Sequence, residues 1–150
     1  MKTTDQLNQA LSQGNLSEYY EQFEDKLADP DKPFAAYMRR IIRSKGLLQQ
    51  TVFLRADIPE RYGYKLISEE KHTRQRDVIL RLCLAAHCSL TEVNRALQLY
   101  SMSPLYPRIR RDAAFIIAFN TGLYEIEAVE ELLRAHQLEP LYACTPADDL

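Results

Sequence analysis

The chain has 150 residues, of which 46% are apolar and 27% charged, enough apolar material for one ordinary globular core. Its longest apolar stretch, 113–119, falls well short of the roughly 20 residues that span a bilayer. The polar start predicts no signal peptide, and three cysteines match no disulfide or zinc spacing, so a reducing cytoplasmic setting with no membrane partner is expected.

The net charge of −2 conceals an asymmetry: residues 1–33 carry a net −4, residues 34–81 a net +6, and residues 82–150 a net −4. A basic middle between acidic ends is the charge pattern of a local polyanion-binding surface. Solvated helix faces give the same bias.

Four glycines and no alternating β-branched run predict an all-α protein. Thr3-Thr4-Asp5-Gln6 opens a short helix carrying Leu7 and Leu11, which Gly14 stops; Ser17 caps a second with Tyr20, Phe23 and Leu27 on one face. The break at residues 29–33, Asp-Pro-Asp-Lys-Pro, divides an acidic arm, 1–33, from the rest. From Phe34, residues Tyr37, Met38, Ile41 and Ile42 recur at helical spacing until Gly46. A short helix from Gln49 to Ala56 follows, then a tight turn at Asp57-Ile58-Pro59 and a helix over 60–68 that begins at Pro59. Beyond a charged loop come an apolar helix over 74–87 and one opened by the capping box Ser89-Leu90-Thr91-Glu92. A proline-bounded loop over 101–107 precedes two last helices, over 108–120 and 124–136, separated by Gly122. The expected domains are the arm, a core over 34–100 and a carboxy-terminal helical pair with its tail over 101–150. No internal repeat is visible.

Two short helices joined by a tight turn form a helix-turn-helix, whose second helix fits the DNA major groove. Its outward face would carry Glu60, Arg61, Tyr62, Tyr64 and Lys65. Arg61 and Lys65 lie one turn apart and suit guanine acceptors. Gln49 and Gln50, opening the preceding helix, suit phosphate oxygens. Lys71, His72, Arg74 and Arg76 follow the second helix and would grip the backbone beyond it.

Residues 34–99 resemble the lambda-repressor-like (Xre) helix-turn-helix domain, a five-helix bundle. The likeness rests on Gly46-Leu47, Val52, Ile58, Tyr62-Gly63-Tyr64, Arg76-Asp77 and Leu82-Cys83-Leu84-Ala85. A bacterial subgroup with an added carboxy-terminal helical pair is echoed by Pro104-Leu105-Tyr106-Pro107-Arg108, Arg111-Asp112-Ala113 and Glu139-Pro140-Leu141. The resemblance implies a transcriptional regulator that binds double-stranded DNA as a homodimer, with no cofactor and association with the nucleoid when bound. Glu60, Glu69 and Glu70 beside the DNA face favour the alternative, a non-catalytic protein-interaction module on the same scaffold, with the acidic arm in its interface.

Other signals have plainer readings. The apolar setting of Cys83 predicts an inert thiol rather than a thiolate–imidazole pair or metal site with His87. Glu125, Glu127, Glu130 and Glu131 read as a solvated face, so no enzyme is expected. Arg108, Arg110 and Arg111 open a helix against its macrodipole. That predicts an internal salt bridge, for example with Asp112 or the arm, with DNA or subunit contact as the alternative. Gly63 admits either a neighbouring helix or DNA.

Overall fold

The computed structural model describes residues 32–146, so the arm helices expected within 1–31 lie outside the described residues. Seven helices and no strand occur among the described residues. They are α1 (Pro33–Ser44), α2 (Gln49–Ala56), α3 (Glu60–Ile67), α4 (Arg76–Ala85), α5 (Leu90–Leu99), α6 (Arg110–Thr121) and α7 (Ile126–Ala135). None of them is long and apolar enough to cross a membrane.

Each helix follows from its apolar period and its ends. In α1, Phe34, Met38, Ile41 and Ile42 share the buried face, and Pro33 stands in the first turn where its missing N–H costs nothing. Gly46, at φ +70°, lets the chain turn back, so that Leu47 N–H donates to Ile42 O at 3.1 Å. Asp57 ends α2 in the left-handed region, a conformation aspartate tolerates better than most residues. Pro59 holds the N-cap of α3 rather than its first helical position. Gly63 stands where α2 and α3 cross: a Cβ there would come within 2.5 Å of the Phe53 ring. The glycine admits a helix, not DNA.

α4 begins two residues later than the sequence predicts. Thr73 Oγ1 accepts a bond from Gln75 N–H, and Thr73 N–H donates to the Tyr100 hydroxyl at 2.8 Å, so this segment stays outside the helix. From Asp77 to Ala85 every α4 residue is buried, which makes α4 the central helix. The predicted capping box opens α5 with both of its bonds, Glu92 N–H to Ser89 Oγ at 3.1 Å and Ser89 N–H to Glu92 Oε1 at 2.8 Å. A single buried cluster runs from Phe34 to Leu141, so the last two helices share one core with the first five.

The expectation of no internal repeat is corrected by the structure. Residues 76–106 and 111–142 are two copies of one unit, a helical hairpin followed by a Pro-Leu-Tyr strap. Arg76-Asp77 corresponds to Arg111-Asp112, and Pro104-Leu105-Tyr106 to Pro140-Leu141-Tyr142. The left-handed residues fall at matching places, His87 with Gly122 and Ser101 with Gln137.

The ties are reciprocal. Arg76 forks onto Asp112 at 2.8 and 3.0 Å and also holds the carbonyls of Ser103 and Pro104. Arg111 forks onto Asp77 at 2.9 and 2.8 Å and holds the carbonyls of Glu139 and Pro140. Asp112 accepts Tyr106 N–H, and Asp77 accepts Tyr142 N–H, each at 2.9 Å. α4 meets α7 while α5 meets α6, the exchange a local two-fold requires. The repeat escapes a reading of hydrophobic period because its identities sit at helix starts and straps. On the helix faces, Val78, Ile79 and Leu82 are replaced by Ala113, Ala114 and Ile117.

Candidate nucleic-acid interface

The starts of α2 and α3 stand together at the surface. Gln50 Nε2 donates to Glu60 Oε2 at 3.5 Å, a long bond that links the first turns of the two helices. Neither helix has a side-chain cap: Leu48 and Pro59 occupy the cap positions and offer no acceptor. The first-turn N–H groups therefore lack the side-chain partner that Ser89 supplies in α5, and together with the helix dipoles they favour an anion.

Around these two ends, Gln50, Arg61 and Tyr64 are exposed, while Gln49, Tyr62 and Lys65 are partly buried. Tyr64 packs its ring edge-on against Phe53 at 4.9 Å and remains 43% exposed, so it both supports the α2–α3 crossing and reaches the surface. Beyond α3 the chain is held close, with Lys71 N–H donating to Lys65 O at 3.1 Å. Lys71, His72 and Arg74 are exposed, and the His72 ring lies 5.1 Å from that of Tyr100.

Two of the three nearby glutamates are engaged. Glu60 is held by Gln50. Glu69, itself left-handed at φ 61°, turns its carboxylate onto Ala35 N–H at the start of α1, at 3.3 Å. There it meets the positive end of the α1 dipole. Glu70 is exposed.

Arg76 does not belong with this group. Its guanidinium is taken up by Asp112 and two carbonyls, so the structure corrects its expected role of gripping a DNA backbone. Arg81, counted in the same basic segment, is buried and donates to the carbonyls of Ala56, Leu141 and Tyr142. Lys45 pairs with Glu92 at 3.0 Å. Lys45, Arg76 and Arg81, three of the eleven basic side chains of residues 34–81, are thus engaged within the protein, and the surface share is smaller than the sequence suggests. The sign of Arg76's engagement was present in the sequence: the same Arg-Asp pair recurs at the start of α6.

A concavity of about 720 Å³ lies away from these residues, between the end of α2 and the second hairpin. His87 and Tyr124 line it with their rings stacked at 4.6 Å, beside Arg55, Arg81 and Glu130. Burial, with Arg55 and Lys45 nearby, pushes the His87 pKa down. Cys83 is fully buried, and its bond to Cys88 together with burial pushes its thiol well up. A thiol held protonated and out of solvent is a packing group, not a nucleophile. Among the described residues no group of three His, Cys, Asp or Glu side chains is placed to hold a metal ion.

No family model, no curated protein and no solved structure matches this chain.

Proposed function

We propose that the chain is a sequence-specific double-stranded DNA-binding transcriptional regulator. In this reading α1–α5 form a lambda-repressor-like domain, α2 and α3 are its helix-turn-helix, and α3 enters the major groove. The observation that carries it is the pair of uncapped helix starts, joined through Gln50 and Glu60, with Arg61 and Tyr64 exposed on α3. Arg61 and Lys65 read base edges, while Gln49, Gln50, Lys71 and Arg74 anchor phosphates. Two copies bind a two-fold site.

The test is a salt titration of binding to mixed duplex fragments, followed by fluorescence anisotropy, with an Arg61→Ala/Lys65→Ala control. Affinity is expected to fall steeply with salt through counterion release and to collapse in the control. On a selected site, Arg61→Ala is expected to cost about 1–3 kcal/mol at one base position and less elsewhere. Absence of binding at low salt overturns the reading.

A protein-recognition module is the second reading, favoured by Leu48 and Leu54, 70% and 80% exposed on either side of the α2 start and end. It predicts Leu54→Asp abolishing partner capture while DNA binding is absent from the start.

A further inference from the structure

The repeat sets apart one group that it does not share. The Arg-Asp forks and the Asp–Tyr strap bonds occur in both hairpins, whereas Arg81 on α4 has Ile116 as its counterpart on α6. The second hairpin packs with an isoleucine at this place, so what the arginine adds belongs to the surroundings of the first.

Those surroundings are the end of α2. Arg81 is buried, yet its guanidinium reaches three backbone carbonyls. Nε donates to Tyr142 O at 2.7 Å, Nη2 to Leu141 O at 2.8 Å and Nη1 to Ala56 O at 3.2 Å. Ala56 is the last residue of α2, so its carbonyl is one that the helix itself leaves without a partner. A cation there also meets the negative end of the α2 dipole. The next residues, Asp57, Ile58 and Pro59, turn the chain into α3. The strap continues beside that turn, where Ala143 and Cys144 line one cleft with Asp57, Ile58 and Pro59. One guanidinium thus joins the central helix, the strap of the second hairpin and the end of α2.

We propose that Arg81 is a positioning residue for the α2–α3 pair. It fixes the turn between the two helices to the carboxy-terminal strap, so the second hairpin sets the angle at which α3 is presented. Being buried, it acts through the Ala56 carbonyl and not by touching a ligand. The clamp rests on the bonds alone, while its consequence for DNA rests on the helix-turn-helix reading. Base readout depends on how α3 is aimed, whereas attraction to phosphates does not.

Two variants of the full chain test it. Arg81→Ile copies the second hairpin, and Glu130, 3.7 Å from the guanidinium and 34% exposed, stays hydrated when the arginine is gone. Arg81→Lys keeps the charge but not the fork and allows the same comparison at a smaller loss of stability. In hydrogen exchange read by mass spectrometry, α5 and α6 report the general loss of stability. Amides of residues 57–68 are expected to accelerate at least about tenfold more than those helices. An equal rise throughout the chain overturns the proposal, as does no rise at 57–68. On duplex DNA, the ratio of affinity for a selected site to that for unrelated sequence is expected to fall at least about tenfold in Arg81→Ile, at an unchanged salt slope. Arg81→Lys should recover part of that ratio. An unaltered ratio overturns the proposal. Absence of DNA binding in the unaltered chain overturns the DNA reading instead, and the exchange comparison then decides the clamp by itself.

Discussion

The two hairpins use the same ties in opposite surroundings. The first is enclosed, with α1 and α2 over its faces and the buried set continuous through it; the second leaves Ile109 and Ile117 half exposed. Yet the Arg-Asp forks and the strap bonds match between them almost atom for atom. The difference separates two jobs that a hydrophobic pattern blurs together. The ends of each unit fix how the pair is joined, while the helix faces decide what the pair is joined to. Buried ion pairs suit the first job: desolvation offsets most of their Coulomb attraction, but a misplaced partner is very costly, so they specify geometry more than they add stability.

The largest effect is expected from breaking one fork. Arg111→Ala leaves Asp77 buried without its counter-charge, and Arg76→Ala does the same to Asp112; each should lose about 3–5 kcal/mol in urea unfolding. Equal losses are expected despite the unequal surroundings. The double variant Arg111→Ala/Asp77→Ala should lose less than the two single losses combined, since no isolated charge then remains. A loss in one fork alone would show that the symmetry is only geometric.

A middle-sized effect should come from making the hairpins alike where they differ. Arg81 on α4 corresponds to Ile116 on α6, and only the arginine ties a strap to the end of α2, through Ala56 O at 3.2 Å and Leu141 O at 2.8 Å. Glu130 lies 3.7 Å from the same guanidinium. Arg81→Ile should cost about 1–3 kcal/mol and lower Tm, because buried carbonyls lose their donor. An unchanged Tm would mean that the straps hold without this bond.

The smallest effects concern the second helix of each hairpin. α5 has its capping box, while Glu125 at the N-cap of α7 makes no side-chain cap bond. Ser89→Ala should cost about 1 kcal/mol, and Glu125→Ala close to nothing. Burial would raise the Glu92 pKa, but its bonds from Ser89 N–H and Lys45 outweigh that and hold it below the ordinary value, while Glu92 raises that of Lys45. The glutamate's contribution is therefore present above its unfolded pKa and fades as acid protonates it. The lysine's is present below its own unfolded pKa and fades as base removes the proton. The partly exposed pair adds under about 1 kcal/mol, between roughly pH 5 and pH 10. In a urea series across pH, the unaltered chain's advantage over Lys45→Met should be constant inside that window and shrink beyond either edge.

Helices were legible where one face is apolar and the ends carry punctuation: Gly46, Asp57, Ser89 and Gly122 all stop or start helices as their chemistry predicts. Pairing was not legible. Arg111 was expected beside Asp112 or the arm, but neighbours on a helix point apart, and its partner Asp77 lies 34 residues away. Of the candidate interface side chains, Gln50, Arg61, Tyr64, Lys71, His72 and Arg74 reach the surface, Gln49, Tyr62 and Lys65 do so only in part, and Arg76 is taken up by Asp112. What they hold is a matter of chemistry outside the chain, and no internal contact records it.

The strap bonds also govern when the molecule is finished. Tyr142 N–H reaches Asp77 across 65 residues, and closing so long a loop is an entropic debt met only after the loop's last residue exists. A nascent chain that has passed Leu99 holds all of α1–α5, yet Asp77 still lies in its central helix without a counter-ion. Completion of the amino-terminal half thus waits until Arg111 and Tyr142 have been synthesised.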